Sequence, residues 1–271
     1  MTELAASSAF KPRLYHNFSS YYSMIARLAL AEGGVAYEPV FIDIHYRRGQ
    51  QEPDYVRINP GMTVPTLVLP DRILIESRDI AEYALGVGEA GLDEETRAWV
   101  DLQYGYPIEE LTFGGLLARS PVARIIVPKQ LESIRRSLLS RAVQNPDLAD
   151  VYKARAEVFA DRVRAFEPST VIRLSERRRV EAMGFMDRLD ATLRDGRPTL
   201  VTSGYGLADV VWTVFLGRME FAGLGAEIPK RAALARYWGQ MQARPSFAAA
   251  DIWTKFHFLR FIGAISGIAT R

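Results

Sequence analysis

Three short segments carry the groups whose types and spacing can do chemistry. In FSSYYSMIARLAL, Ser20 and Ser23 stand three residues apart at the expected start of a helix. A hydroxyl placed there can donate a hydrogen bond to a thiolate, and the positive end of the helix dipole lowers that thiol's pKa. The plain alternative is that Ser19, Ser20 and Ser23 compete as N-caps with no ligand, a common use of serine. In INPGMTVPTLVL, Val64 and Pro65 directly precede an expected strand. A cis-proline turn there would offer the Val64 N–H and C=O to an extended, peptide-like ligand. A trans proline opening an edge strand is the other reading. In LIESRDIAEYA, Glu76 and Ser77 fall at a strand-to-helix junction, where free N–H groups favour a carboxylate. Ser77 is the expected N-cap, serving the helix alone or a ligand as well.

Any thiolate involved has to come from elsewhere, because the 271 residues include no cysteine. Disulfides, Cys-ligated zinc, iron–sulfur clusters and protein-thiolate mechanisms are excluded together. The three histidines, His16, His45 and His257, have no metal-ligand spacing, so no metal is expected. The 34 Lys+Arg against 32 Asp+Glu leave a net charge of +2 with the signs interspersed, which gives no reason to expect nucleic acid. With 48% hydrophobic and 24% charged residues, the chain is a folded globular protein. The opening MTELAASSAFKPR lacks the apolar stretch of a signal peptide, and no apolar run approaches the ~18 residues of a membrane span. A cytoplasmic protein is expected.

The elements that must position these groups follow from periodicity. At about 150 residues per domain the length suggests roughly two domains. From Arg13 onward, RLYH, SMIARLALAEGG, YEPVFIDI, a variable segment, TLVLP, ILIE and SRDIAEYAL read as strand, helix, strand, two further strands and a helix. The first helix is expected from about Ser23 to the Gly33-Gly34 pair, and Asp71-Arg72 is placed as an antiparallel hairpin turn. A Gly-rich, acidic stretch at 86–93 separates this α/β domain, residues 13–85, from an all-helical domain, residues 94–271. Breaks are expected at Pro107, Pro121, Pro146, Pro168, Pro198 and Pro245. Aromatic residues, among them Phe18, Tyr21, Tyr22, Trp99, Tyr104, Tyr106 and Phe113, are candidates for stacking walls, although any one of them is more often core. The apolar tail from Asp251 is expected as a lid or packed terminal helix, and the arginines at 173 and 177–179 as a solvated face or a contact to the acidic linker.

Taken in order, the S-x-x-S helix, NPGMTVPTL, ESRDIAEY and the later YGLADVVW resemble the glutathione S-transferase family over roughly residues 13–260. The resemblance implies a thioredoxin-like N-terminal domain that binds glutathione and an all-α domain that holds an electrophile. It implies that Val64 pairs with the cysteinyl part of glutathione, that Pro65 is cis, and that Glu76 and Ser77 hold the γ-glutamyl end. Gln50, Gln51 and Thr63 fall where members contact the glycyl carboxylate. The catalytic position falls on Ser20, Tyr22 or Ser23 according to class, with Ser23 taken first and Ser20 second. Tyr22, Tyr104 and Phe113 are the expected walls for a small aromatic electrophile, and a homodimer is expected.

Within the family, PDYVRINPGMTVPTLV, the long stretch between about 120 and 180 and LADVVWTVFLGRMEFAGL resemble the branch of lignin β-etherases and tetrachlorohydroquinone dehalogenases. The dehalogenases' cysteine aligns with Tyr22 and the β-etherases' serine with Ser23, which favours β-aryl ether cleavage over reductive dehalogenation. An isomerase and a non-catalytic ligand carrier remain as alternatives. Gly206 stands where the family's helical domain has a capping Ser or Thr, so Asp209 is expected to do more of the capping, with Thr202 or Ser203.

Overall fold

The computed structural model describes residues 11–88 and 90–256. Its sheet has the order β2-β1-β3-β4. Strand β1 (Arg13–His16) pairs in parallel with β2 (Glu38–Phe41) and antiparallel with β3 (Thr66–Val68). Strand β4 (Ile73–Leu74) returns antiparallel to β3 through the Asp71-Arg72 turn, where Leu69 N–H donates to the Arg72 carbonyl at 2.9 Å.

Helix α1 (Tyr21–Glu32) forms the crossover from β1 to β2 and begins earlier than its apolar periodicity indicates. The reason is the cap: Ser20 sits in an extended conformation and its Oγ accepts from Ser23 N–H at 3.3 Å. The helix stops at Gly33, with Gly34 at a positive φ of 65°. Gly33 is also needed for packing, since a Cβ there would lie 1.8 Å from the carbonyl oxygen of Ala84 in α3 (Ser77–Ala84). Met24, Ile25 and Leu28 of α1, with Ile80 of α3, bury against Leu14 and Leu67 of the sheet. The segment read as variable holds a short helix, α2 (Pro53–Ile58), anchored by Tyr55, whose hydroxyl lies 2.9 Å from Thr66 Oγ1.

Beyond residue 93 the described chain is helical: α4 (Glu94–Tyr104), α5 (Ile108–Arg119), α6 (Pro121–Gln144), α7 (Ala149–Ala165), α8 (Pro168–Thr192), α9 (Leu207–Phe221), α10 (Ala232–Gln242) and α11 (Pro245–Ala249). Proline opens α6, α8 and α11, where its missing N–H has no intrahelical partner to lose. Helix α9 is the axis of this part, with Trp212 and Phe215 fully buried. Its start is fixed by Asp209, whose carboxylate accepts from Gly206 N–H at 3.1 Å, Leu200 N–H at 2.9 Å and the Tyr237 hydroxyl at 2.8 Å. The partners expected at Thr202 or Ser203 are therefore replaced by Leu200 and Tyr237, because the chain before the cap folds back over the carboxylate.

The long stretch after residue 120 forms α6, α7 and most of α8. Helices α6 and α7 pair and lie on the α/β part, where Leu138, Tyr152 and Phe159 bury with Val56 and Met62 in a small separate core. Ion pairs Arg141–Glu52 at 2.6 Å and Arg57–Asp147 at 2.8 Å edge that contact. In the arginine run, Arg178 pairs with Glu110 of α5 and with Glu181. Among the described residues, no helix is long and apolar enough to cross a membrane.

Candidate active site

The register brings three of the segments to one end of the sheet. Strand β1 leads into the Asn17–Ser20 loop and α1, β3 is entered from Val64-Pro65, and antiparallel β4 leads out to Glu76 and Ser77. The Val64–Pro65 peptide is cis. The β1–β3 pairing stops at Tyr15 opposite Thr66, so Val64 lies beyond the ladder.

The loop ahead of α1 is organised by Asn17, which is buried. Its side-chain amide donates to the Ile42 carbonyl at 2.8 Å, and its Oδ1 accepts from Ser19 N–H at 3.0 Å and from the Ser19 hydroxyl at 2.9 Å. Ser19 Oγ also lies 2.9 Å from His45 Nε2. Ser20 then occupies the cap, partly exposed. Ser23, expected to face a thiolate, is instead 0% exposed inside the first turn, where its Oγ accepts from Asn17 N–H at 3.4 Å. Of the two candidate hydroxyls, Ser20 is the one within reach of solvent.

At the α3 junction the cap is Glu76, not Ser77. Ser77 is the first helical residue and is buried, and its hydroxyl lies 3.0 Å from the hydroxyl of Tyr104 in α4. Tyr104 in turn stacks on Tyr22, with ring centroids 6.3 Å apart and an interplanar angle of 19°. Burial pushes both phenols above their usual pKa, and for Tyr22 the Glu109 carboxylate adds to that rise by repulsion and by accepting its hydrogen bond. Both remain neutral donors across the physiological range.

Other expected residues lie elsewhere. Gln51 is buried under the α6–α7 pair: its carbonyl accepts from the Tyr152 hydroxyl at 2.8 Å, and its side chain from Ser137 at 3.4 Å. Gln50 donates to the Ile44 carbonyl at 3.4 Å. Thr63 is exposed, and its carbonyl accepts from Tyr55 and Asn59. Phe113 is 54% exposed on α5 and stacks on neither Tyr22 nor Tyr104. Trp99 and Tyr106 are core, meeting Trp212 and Phe215 respectively edge to face. His257 and the tail beyond Phe256 lie outside the described residues. Groups of three or more metal-ligating side chains are absent among the described residues.

Two buried arginines at this site escape a reading of the sequence. Arg27 of α1 donates to the carbonyls of Asn17, Phe18, Ala250 and Asp251, tying the loop to the end of α11. Arg218 of α9 donates to the Ser19 carbonyl at 3.1 Å. Their only signal in the sequence is a charge on an otherwise apolar helical stretch.

Comparison with known proteins supports the same frame. Residues 11–86 match the glutathione S-transferase N-terminal domain. The chain is 33% identical over 246 residues to a tetrachloro-p-hydroquinone reductive dehalogenase of Sphingobium chlorophenolicum, spanning 88% of this chain and 95% of that one. It is 25% identical over 244 residues to the glutathione S-transferase TCHQD of Arabidopsis thaliana, spanning 87% of each. The β-etherase LigF of Sphingobium sp. strain SYK-6 shares the fold with a TM-score of 0.63 at 20% identity, covering 89% of this chain and 98% of that one. The chain belongs to the glutathione S-transferase family, with its thioredoxin-like N-terminal part and helical remainder, and is a glutathione-dependent enzyme. The donors at the sheet end suit that tripeptide: hydroxyls at Ser20 and Ser77, free N–H groups of two helix N-termini, and the unpaired edge at Val64.

Proposed function

We propose that the sheet end holds glutathione with its cysteinyl part along the Val64 backbone, its γ-glutamyl end at Glu76 and Ser77, and its sulfur at Ser20, while an aromatic electrophile lies against Tyr22 and Tyr104. In this reading residues 13–85 bind the tripeptide and residues from 94 onward form the electrophile's side. Bound glutathione supplies the sulfur nucleophile that this cysteine-free chain lacks. Ser20 donates a hydrogen bond to the sulfur and favours its anionic form, and the N-terminus of α1 adds its dipole. Ser23 acts indirectly, by fixing Asn17 and the loop. The observation that carries the reading is Ser20 itself: a partly exposed hydroxyl capping α1 at the sheet end that also holds Val64 and Ser77.

Among reactions of such a thiolate, cleavage of a β-aryl ether next to a ketone fits best. The carbon–sulfur bond forms as the carbon–oxygen bond to the aryloxide breaks, and the leaving oxygen takes a proton. Tyr104, held neutral and able to accept from the Ser77 hydroxyl, is suited to donate a hydrogen bond to the ketone or the departing oxygen, while Tyr22, whose hydroxyl donates to Glu109, supplies a stacking face. Reductive dehalogenation, the activity named for the 33% identical relative, has no protein thiol here through which to resolve a mixed disulfide. Incubation with glutathione and either a β-aryl ether ketone or a halogenated hydroquinone tests this. Phenol release with a glutathione thioether as co-product supports the ether reading, and dechlorination without it overturns that reading. Binding of glutathione with no turnover of any electrophile would leave a ligand carrier. By family habit we extend homodimerisation and a cytoplasmic location to this chain, and sedimentation at micromolar concentration checks the former.

A further inference from the structure

Arg218 is a charge that the thiolate chemistry above leaves unused. The side chain is buried, with the residue 6% exposed, and it makes no ion pair with any described residue. Nη2 donates to the Ser19 carbonyl at 3.1 Å, while Nε has no hydrogen-bond partner. The guanidinium is held between two rings, 5.5 Å from the centroid of Tyr21 and 4.8 Å from that of Phe221. A buried cation without a nearby anion is costly unless something compensates it. The charged and titratable groups that act on it are Tyr21, a neutral phenol buried against it, and Glu109, an exposed carboxylate on α5 beyond ion-pairing distance. Burial pushes the guanidinium down to about 10, so it stays charged at neutral pH.

The position of this charge is informative. Ser19 directly precedes the cap residue Ser20, so the guanidinium sits against the N-terminus of α1, where the helix dipole is already positive. Arg27 of α1, which holds the same loop, differs in that its guanidinium donates to four carbonyls. Around Arg218 the rings of Tyr21 and Phe221 exclude water, which strengthens any interaction of the charge with an anion at Ser20.

We infer that Arg218 is a positioning residue and a buried counter-charge for the anionic sulfur held at Ser20, acting from behind the Ser19 backbone rather than by direct contact. The inference rests on the proposed glutathione site and adds a helical-domain residue to its electrostatics. It also explains why a cation is built into an otherwise apolar stretch of α9: removing it leaves the sulfur with the dipole and one hydroxyl alone.

The test is titration of the bound glutathione thiol by its ultraviolet thiolate absorbance, without any electrophile, in the wild type, R218M, R218Q and R218K. Arg218→Met or Gln should raise the thiol's pKa by about one unit, while Arg218→Lys stays within a few tenths of the wild type, because a charge near an anion moves its titration on that scale. The same shift should appear when R218M is added to a Ser20→Ala background. Folded R218M or R218Q with an unmoved titration would overturn the proposal. So would a shift that disappears in the Ser20→Ala background, since Arg218 would then act only by holding the loop. Wild-type protein that binds no glutathione in calorimetry would overturn the proposed function as well. Glutathione binding with an unmoved R218M titration overturns this inference alone.

Discussion

Replacing Ser20 with glycine removes a hydroxyl and little else, which makes it the sharpest perturbation of the proposed site. The hydroxyl caps α1 through Ser23 N–H at 3.3 Å, and glycine at an N-cap costs only a few tenths of a kcal/mol, against ~1 kcal/mol for alanine. A hydrogen bond to an anionic sulfur is charge-assisted and worth ~1.5–3 kcal/mol, which at ~1.4 kcal/mol per unit is roughly one to two pKa units. For a bound thiol titrating near ~6.5, about three quarters is ionised at pH 7, and a rise of one to two units cuts that about 3- to 25-fold. The value of kcat/KM for a generic electrophile, measured from pH 6 to 10, should therefore fall by that factor at pH 7 and recover toward wild type in alkali. Ser23→Ala, which loses a buried 3.4 Å contact with Asn17, should change the rate less than about twofold and show its effect in the melting temperature. A larger rate loss in S23A than in S20G, or an S20G deficit that persists unchanged at high pH, would refute the reasoning.

Three further outcomes follow from buried polar groups. Asp209→Ala leaves the Leu200 and Gly206 N–H groups and the Tyr237 hydroxyl without their acceptor, and urea unfolding should register a loss of ~3–5 kcal/mol. Burial first, then the Arg27 charge, hold the His16 imidazole down at about 3, with Nδ1 facing Arg27 Nη1 at 3.3 Å. The unfolded chain takes up a proton below its ordinary value of ~6.5 while the folded chain does not, so stability is complete above that pH and is lost as pH falls toward 3. Between pH 7 and 5 the loss should be ~2 kcal/mol in denaturant titrations, and a His16→Phe variant that keeps the same slope would contradict it. Tyr104→Phe removes the Ser77 contact at 3.0 Å while keeping the stack on Tyr22, and should weaken turnover of the electrophile severalfold with glutathione affinity within about threefold of wild type.

Much of the frame was legible in local sequence because local chemistry decides it. The Asp71-Arg72 turn, the Gly33-Gly34 stop and the prolines opening α6, α8 and α11 each impose a backbone state that few alternatives satisfy. The cis Val64–Pro65 peptide agrees with what the family resemblance implies, whereas its place before β3 alone left cis and trans open. What failed depended on distant partners. Ser23 and Ser20 look alike in S-x-x-S, and only the Asn17 loop folding over α1 buries one and leaves the other partly exposed. Gln51 appears free until α6 and α7 cover it, and Phe113 appears wall-like until α5 turns it outward. Arg27 and Arg218 carry no sequence signal of their burial, since helical periodicity cannot announce that a guanidinium will be buried on backbone carbonyls. Helix α2 escaped because six residues carry too little periodicity and its anchor, Tyr55, bonds outside the helix.

The central claim, that the end of the sheet near Ser20, Val64 and Ser77 receives the tripeptide, is tested most directly by titration calorimetry of the full chain with reduced glutathione. Saturable heat with one site per chain is expected, with clear loss of affinity when Ser77 is replaced by a bulky Leu that fills the α3 junction. No heat of binding, or binding indifferent to Ser77→Leu in a folded protein, would contradict it.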